Sequence, residues 1–345
     1  MTEQFGGKIT DALKQEYSNS EQWDGKKFVN LEETNMDIGP LKMPKLLYKQ
    51  FFETNGRAPE EKLPILSFDK ERFLKPSGTM KFVWYGHSVI LLRIANKTIL
   101  IDPMLGPNAG PISPFPIHRF SENTLDLIAD FPEIDLVLLT HDHYDHLDLE
   151  SMRLLFPKVA TYYVALGCSR HLEKWGVSKD KITEFDWWQS HNFDGIEITF
   201  TPTRHFSGRG LRDRAKSLWG GWALKTTQEN IYFSGDSGYG KHFKEVGSKL
   251  GHFDFGFIEC GQYNENWHLI HMFPEESVQA AEDAKVKRIM PVHWAGFPLA
   301  QHHWKDPIER FVIAAEKHNF EYIHPLLGAM VSFDENTNQK WWEAF

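Results

Sequence analysis

The sequence has few cysteines, no long apolar run and no excess of positive charge. Only Cys168 and Cys260 occur among the 345 residues, in unrelated contexts, so we expect no disulfide framework and a reducing compartment. The absence of any run of about 18 apolar residues argues against a membrane-spanning helix. The formal net charge of −9 argues against a nucleic-acid-binding protein.

The amino-terminal residues lack the pattern of a signal peptide. They read MTEQFGGK, without a basic segment followed by an apolar one. We therefore predict a cytoplasmic protein, which would meet a membrane only from its surface.

Residues 1–78 differ in composition from the rest of the chain. They are charged and contain five prolines, at Pro40, Pro44, Pro59, Pro64 and Pro76. We predict an extension that packs on a main domain of residues 79–345; the alternative is a partly disordered leader. The apolar segment Leu41–Phe52 is expected to make the main contact, since it holds seven apolar side chains: Leu41, Met43, Leu46, Leu47, Tyr48, Phe51 and Phe52.

The partner of this apolar segment is left open by the sequence. Burial within the chain, across a homodimer or at a membrane surface would each cover it. Lys42, Lys45 and Lys49 suit anionic headgroups. Pro44 is expected to interrupt a helix here, which favours docking within the chain or a dimer.

From Met80 onwards, short β-rich runs alternate with helical segments. The strand-like runs are KFVWYGHSVILLRI, KTILID, DLVLLT, TYYVAL, IEITFTP, WALKT, IYFSGD, FDFGFIECG and KRIMPVHW. Helices are predicted near 149–156 and for SRHLEKWG, PEESVQAAEDAKV and PIERFVIAAEKH. This order predicts an α/β fold in which two sheets pack face to face between outer helices, a four-layer αββα sandwich.

The segment LVLLTHDHYDH carries the strongest chemical signal. A buried strand runs into His141, His143, Asp145 and His146, three histidines and a carboxylate within six positions. Imidazole nitrogens and carboxylate oxygens are preferred zinc ligands, and a tight loop after a strand can direct several of them to one point. We predict a metal site here rather than a solvated polar loop.

Three later residues occur in a comparable setting. His205 follows IEITFTPTR, Asp236 closes IYFSGD and His293 closes RIMPVH, each at the carboxyl end of an apolar run. Strand ends that share a direction meet at one edge of a sheet, where open α/β sheets place their ligands. We therefore expect these residues to join the first cluster.

Together these seven residues resemble the pattern of the metallo-β-lactamase superfamily. The resemblance implies that His141, His143 and His205 hold one ion and that Asp145, His146 and His293 hold the other. Asp236 would bridge them. Two divalent ions are implied, with zinc preferred and manganese or iron also compatible with such ligands. The ligand set, which has a bridging Asp236 and no cysteine, resembles that of the phosphodiesterase and thioester-hydrolase branches of the superfamily.

Further motifs resemble the N-acylphosphatidylethanolamine-hydrolysing phospholipase D family over residues 80–328. They are YGHSVILLRI, LIDP, THDHYDHLD, EFDWW, TPTRHFSGRG, SLWGGWAL, FSGDSGYG, HMFPEE and MPVHWAGFPLA. The resemblance implies a phospholipid substrate and release of phosphatidic acid and an N-acylethanolamine. A hydroxide shared by the two ions would attack phosphorus, oriented by Asp145. His271 of HMFPEE would face the substrate phosphate; the alternative is a capping or surface histidine.

Two residues are candidates for supporting roles. Asp102 of LIDP is either a hydrogen-bond acceptor for a ligand imidazole or a plain turn residue. His87 fits a buried, hydrogen-bonded histidine better than a ligand.

Other functions of the same site are also considered. A lactonase or a hydrolase of another small-molecule (phospho)ester is the nearest alternative. A di-iron electron-transfer protein would need an appended flavin domain, and the chain ends soon after His293. A nuclease would need a basic clamp, and a non-catalytic protein would usually lack one of the seven residues.

Overall fold

The computed structural model describes residues 2–111, 115–210 and 212–345. Its strands are β1 (Lys81–Trp84), β2 (Ile90–Ile94), β3 (Lys97–Ile101), β4 (Ile134–Leu139), β5 (Val159–Ala165), β6 (Ile182–Phe185), β7 (Ser190–Phe193), β8 (Ile196–Thr201), β9 (Gly221–Lys225), β10 (Asn230–Phe233), β11 (Phe253–Glu259), β12 (Val286–Val292), β13 (Glu321–Tyr322) and β14 (Met330–Ser332).

The α-helices are mostly short. They are α1 (Asp11–Tyr17), α2 (Met43–Phe52), α3 (Lys70–Leu74), α4 (Leu127–Asp130), α5 (Leu149–Leu155), α6 (Ser169–Trp175), α7 (His242–Lys249), α8 (Pro274–Asp283) and α9 (Asp306–Lys317). Within the described ranges, none of the helices has the length and apolar character needed to cross a membrane.

The strands form two mixed sheets of seven strands each. The first has the order β14-β1-β2-β3-β4-β5-β6 and the second β13-β12-β11-β10-β9-β8-β7. The sheets face one another across a common core, in which Phe82 of β1 packs edge-on against Phe257 of β11 at a centroid distance of 5.0 Å. Helices flank both sheets, which confirms the predicted αββα sandwich.

The central strands are apolar over most of their length because both faces are covered. Every residue of β1 and β10 is buried, and β4, β11 and β12 are buried from their third residue to their last. Strands between packed layers are expected to be continuous apolar runs rather than alternating ones. Their polar residues are therefore confined to strand ends, where the candidate site residues occur.

The run KFVWYGHSVILLRI folds differently from a single long strand. It breaks at Gly86 and His87, which have left-handed φ angles of 82° and 54°, and thereby gives β1 and β2 as an antiparallel pair. The predicted hairpin between β2 and β3 is present, with Ala95 and Asn96 at φ 46° and 61° in its turn. The break at His87 matters because it directs this side chain towards the candidate site.

Residues 1–78 contact the sandwich through apolar side chains other than the predicted ones. Tyr17, Phe28, Leu63 and Phe73 are buried in the main hydrophobic core. Leu41–Phe52 lies largely exposed, so the prediction that this segment supplies the main contact within the chain is wrong. The side chain of Phe51 is outside the described part. The boundary between an extension of residues 1–78 and a hydrolase domain of residues 79–345 stays a prediction.

The expected interruption at Pro44 is also wrong. Helix α2 runs unbroken from Met43, with Pro44 in its first turn. The first backbone N–H groups of a helix have no intrahelical acceptor, so proline is tolerated there.

Candidate metal centre

The topology brings the ends of several strands to one edge of the second sheet. β10, β11 and β12 are parallel neighbours, and β8 runs in the same direction as β10 because both are antiparallel to β9. The carboxyl ends of these strands therefore lead to His205, Asp236, Glu259 and His293 on one side. The loop after β4 of the first sheet faces them and carries the HDHYDH segment.

The first group of candidate ligands consists of three histidines. His141 Nε2 lies 2.9 Å from His143 Nδ1, which lies 3.2 Å from His205 Nε2. Burial lowers the pKa of all three rings, that of His143 to about 4, so that neutral imidazoles face one another. Three neutral rings that turn nitrogens to one point fit a cation of the zinc class.

The second group contains both carboxylates. His146 Nε2 lies 3.1 Å from Asp236 Oδ2 and 3.5 Å from Asp145 Oδ2, and His293 Nε2 lies 4.0 Å from Asp145 Oδ2. Asp236 Oδ2 is also 3.9 Å from His141 Nε2 and 3.8 Å from His205 Nε2. Asp236 therefore lies between the two groups, as a bridging carboxylate would.

The charges in this second group are mutually dependent. Burial lowers the pKa of His146, but Asp236, Asp145 and Asp102 together raise it well above its usual value. Burial raises the pKa of Asp145, whereas His146 and His87 hold it well below the usual range. Burial raises the pKa of Asp236 to about 6. The negative charge concentrated here would be compensated by a bound cation.

Two buried atoms of this cluster have no hydrogen-bond partner among the described residues. They are His293 Nε2 and Asp236 Oδ1, although Asp236 Oδ1 lies 3.2 Å from His293 Nδ1 without the geometry of a hydrogen bond. Buried polar atoms are normally satisfied, and a cation would satisfy both of these. The donor set of imidazoles and carboxylates suits zinc, manganese or iron. The seven predicted residues thus meet in one cluster that could bind metal ions, and their individual roles as ligands remain predictions.

A second layer of hydrogen bonds fixes the histidine rings. Asp102 Oδ2 accepts from His146 Nδ1 at 2.8 Å and from the Thr140 hydroxyl at 2.7 Å. Thr140 Oγ1 in turn lies 2.9 Å from His141 Nδ1, and His205 Nδ1 lies 3.0 Å from the carbonyl oxygen of Ile270. In His141, His146 and His205, Nδ1 thus donates to an oxygen, and the lone pair of Nε2 is available to bind a cation. Asp102 thus has the acceptor role rather than that of a plain turn residue.

His87 is fully buried and hydrogen-bonded, as the sequence interpretation expected. Its Nε2 lies 2.9 Å from Asp145 Oδ2, and its ring centroid lies 4.0 Å from that of His293. His87 also belongs to one of the groups that could hold a metal ion, together with Asp145, His146 and His293. Its hydrogen bond to Asp145 would orient this carboxylate.

His271 lies beside both ligand groups and is supported by a carboxylate that sequence reasoning missed. Its ring centroid is 5.0 Å from that of His205 and 5.2 Å from that of His293. His271 Nδ1 lies 2.7 Å from Glu259 Oε1. Burial, reinforced by the nearby Asp236, raises the pKa of Glu259 well above its usual value. Glu259 could have been predicted from the sequence, since it also lies at the carboxyl end of an apolar strand.

Asp142, the first aspartate of the HDHYDH segment, faces away from the metal cluster. Its carboxylate accepts from the Ser217 hydroxyl at 2.6 Å and from the Gly208 N–H at 2.7 Å, and lies 3.1 Å from His171 Nε2. These contacts tie the ligand loop to residues 205–219. The fully buried Arg209 adds to this by donating to the carbonyl oxygens of Asp142 and Leu147 at 2.8 and 2.6 Å.

Comparison with known proteins gives consistent similarities. The family description "Beta-lactamase superfamily domain" matches residues 97–294. An uncharacterized protein of Mycobacterium tuberculosis is 36% identical over 311 residues, a match that covers 88% of this chain and 82% of the mycobacterial protein. The N-acyl-phosphatidylethanolamine-hydrolyzing phospholipase D 1 of Caenorhabditis elegans is 30% identical over 250 residues, 69% of each chain.

A solved structure with the same fold is that of a metallo hydrolase from the archaeon Ignicoccus hospitalis. Its TM-score is 0.58 at 20% sequence identity, and the match covers 74% of this chain and 99% of that one. At this identity the likeness concerns the fold alone.

Proposed function

The chain belongs to the beta-lactamase superfamily as a metal-dependent hydrolase, and from this premise we propose that it is a phosphodiesterase of the phospholipase D type. Its substrate would be an N-acylphosphatidylethanolamine, cleaved to phosphatidic acid and an N-acylethanolamine. The similarity to the C. elegans enzyme over two thirds of both chains supports this substrate class. The two free, buried cysteines support a location in the cytoplasm.

The observation that carries the proposal is the position of Asp236 between two groups of buried ligands. His141, His143 and His205 would hold one ion, and Asp145, His146 and His293 the other. Zinc is the preferred ion for such a set. When bound, two such ions supply a nucleophilic water at neutral pH and positive charge for the phosphoryl oxygens.

The protein's own side chains would position the substrate and water. Asp145, which is oriented by His87, would accept a hydrogen bond from the attacking water and align it with phosphorus. Burial keeps the His271 ring neutral and raises the pKa of Glu259. A protonated Glu259 would donate to His271 Nδ1, so that the ring proton lies on Nε2, which would donate to a phosphoryl oxygen of the substrate. A donor fixed in this way stabilises the developing charge without having to reorganise.

A comparison of three substrates tests the proposal. The metal-loaded enzyme is assayed against an N-acylphosphatidylethanolamine, bis(p-nitrophenyl) phosphate and an acyl-homoserine lactone, with the His141→Ala/His143→Ala double variant as negative control. We expect kcat/KM for the lipid phosphodiester to exceed that for the lactone by at least about tenfold, equivalent to about 1.4 kcal/mol of transition-state binding. Faster turnover of the lactone than of either phosphodiester would contradict the proposal and favour a lactonase.

A further inference from the structure

Helix α2 and the residues just before it expose an unusual concentration of apolar side chains. Of the large hydrophobic residues that are exposed in the described ranges, half lie between residues 41 and 52: Leu41, Met43, Leu47, Tyr48 and Phe52. Leu41 is 98% exposed and Phe52 73%. Contiguous apolar patches of this kind mark sites of interaction with a protein or a membrane.

The helix is held on the protein by its opposite, polar side. Arg57 donates to the Gln50 carbonyl oxygen at 2.6 Å and to Gln50 Oε1 at 3.1 Å. The same guanidinium donates to the carbonyl oxygens of Pro298 and Ala300, and Gln301 donates to Gln50 Oε1 at 2.6 Å. The apolar face thus points outward because α2 is anchored on the protein through Gln50. Its exposure does not result from a detached segment.

Positive charges accompany the exposed apolar side chains. Leu41–Phe52 contains Lys42, Lys45 and Lys49 and no acidic residue. Lys42 pairs with Asp37, whereas Lys45 and Lys49 have no ion-pair partner among the residues that the structure describes. All three lysines line a cavity of about 560 Å³ between α2 and residues 263–266 and 301–310. Two acidic residues also line this cavity, but one of them, Asp306, is already engaged by Tyr263 and Arg310.

We propose that α2 is a docking surface for a lipid bilayer that contains anionic lipids, an inference that rests on the proposed lipid phosphodiesterase function. The apolar face would enter the interfacial layer, and the lysines would contact the lipid phosphates. Tyr48 and Phe52, which stack at a centroid distance of 5.3 Å, suit the membrane–water interface. A helix of ten residues spans about 15 Å, so it would lie in the plane of the membrane surface.

A second copy of the chain is a less suitable occupant of this face. In a two-fold symmetric dimer the same patch contacts itself, so a surface that carries the unpaired Lys45 and Lys49 would face a second surface of the same charge. The bilayer instead offers negative charge and an apolar interior in one surface. Docking would also bring the loop that follows His293 towards the bilayer, because Arg57, which holds Gln50 of α2, donates to Pro298 and Ala300 of that loop.

Flotation of the full-length protein with vesicles tests the proposal. Vesicles of phosphatidylcholine alone are compared with vesicles of equal parts phosphatidylcholine and phosphatidylglycerol. We expect binding to the anionic vesicles, weakened by high salt. The apolar variant Leu47→Ser/Tyr48→Ser/Phe52→Ser should reduce the partition coefficient by about tenfold or more. The charge variant Lys45→Gln/Lys49→Gln should reduce it by about 25-fold, since each lysine near an anionic surface contributes about fivefold.

The matched control replaces apolar residues with comparable exposure elsewhere. Leu154 on α5 and Ile313 on α9 are 49% and 66% exposed, and the double variant Leu154→Ser/Ile313→Ser should bind vesicles like the wild type. Absence of binding by the wild type, or equal loss in the control, would overturn the proposal. So would a change from dimer to monomer in the apolar variant with unchanged vesicle binding, because a second copy would then be the occupant.

Turnover of a soluble substrate separates this proposal from the proposed function. The α2 variants should hydrolyse bis(p-nitrophenyl) phosphate at the wild-type rate while they lose vesicle binding, and this result would support docking. Vesicle binding by a wild type that hydrolyses no phosphodiester would support the docking surface and contradict the phosphodiesterase. Loss of soluble turnover in the α2 variants would overturn the assignment of this helix to docking alone.

Discussion

Replacement of Asp102 by asparagine tests whether this carboxylate sets the metal-binding nitrogen of His146. Asp102 Oδ2 accepts from His146 Nδ1, and Oδ1 accepts from the Thr140 backbone N–H at 2.9 Å. An amide group facing His146 would donate to Nδ1, so the neutral ring would carry its proton on Nε2, the nitrogen that faces Asp236. If the asparagine amide were flipped, its NH2 group would face the Thr140 backbone N–H, and two donors would then oppose each other. Neither orientation preserves both bonds.

The expected magnitude follows from these contacts. Loss of an outer hydrogen bond to a ligand histidine lowers metal affinity by about 10–100-fold, or about 1.4–2.8 kcal/mol. The buried, charge-assisted bond to His146 also contributes to stability without metal, so we expect the free energy of unfolding to fall by about 2 kcal/mol. The loss of metal affinity should exceed the loss caused by removing a single surface charge. The reason is that Asp102 also accepts a hydrogen bond from the Thr140 hydroxyl, which contacts His141.

Competition with a zinc chelator and urea unfolding of the metal-free protein measure the two quantities. Asp135→Asn is the matched control, because this carboxylate accepts from the Thr98 backbone N–H at 2.8 Å but lies at the amino end of β4, away from the site. The control should keep wild-type metal affinity. Equal metal affinities for the Asp102 variant and the wild type would refute the tautomer argument.

Three further predictions concern the candidate metal ligands, His271 as hydrogen-bond donor to the substrate, and Arg209 as the residue that holds the loop after β4. His141→Ala with His143→Ala should abolish turnover and bound metal but keep the circular dichroism spectrum, whereas unfolding would indicate a structural metal. His271→Ala should lower kcat by about 100-fold without loss of metal, while the exposed His268→Ala should have wild-type kcat; equal effects would contradict the donor role. Arg209→Ala should lower the free energy of unfolding in urea by about 3–5 kcal/mol, because it leaves buried carbonyl oxygens unsatisfied, and a change below about 1 kcal/mol would count against this anchor.

The convergence of the seven candidate ligands could be predicted because each follows an apolar run. A strand between two packed layers is apolar to its end, so the first polar residue of chemical interest marks the sheet edge. His205, Asp236 and His293 illustrate this, since strands of the same direction carry all three to one side. The same rule would have found Glu259.

Other features depended on three-dimensional contacts that no local pattern reports. Asp142 and Asp145 look alike within HDHYDH, but the turn of the loop sends Asp142 to Ser217 and Asp145 to the metal cluster. The contact of Glu259 with His271 arises because the chain folds back after β11. The apolar character of α2 was evident in the sequence, but its exposure depends on the anchoring of its opposite face by Arg57.

The attachment of the amino-terminal residues to the loop after β8 has a consequence for the order of folding. Arg209 donates to the carbonyl oxygen of Gln4 across 205 positions of sequence, and Phe28 donates its N–H to Ala215. On the ribosome, residues 4–28 therefore emerge long before their acceptors and donors are synthesised. At about 5–20 residues per second they would wait on the order of ten seconds or more with Tyr17 and Phe28 uncovered. Chaperone binding to this early segment would be favoured during that interval and would end once Arg209 and Ala215 have emerged and the segment packs on them.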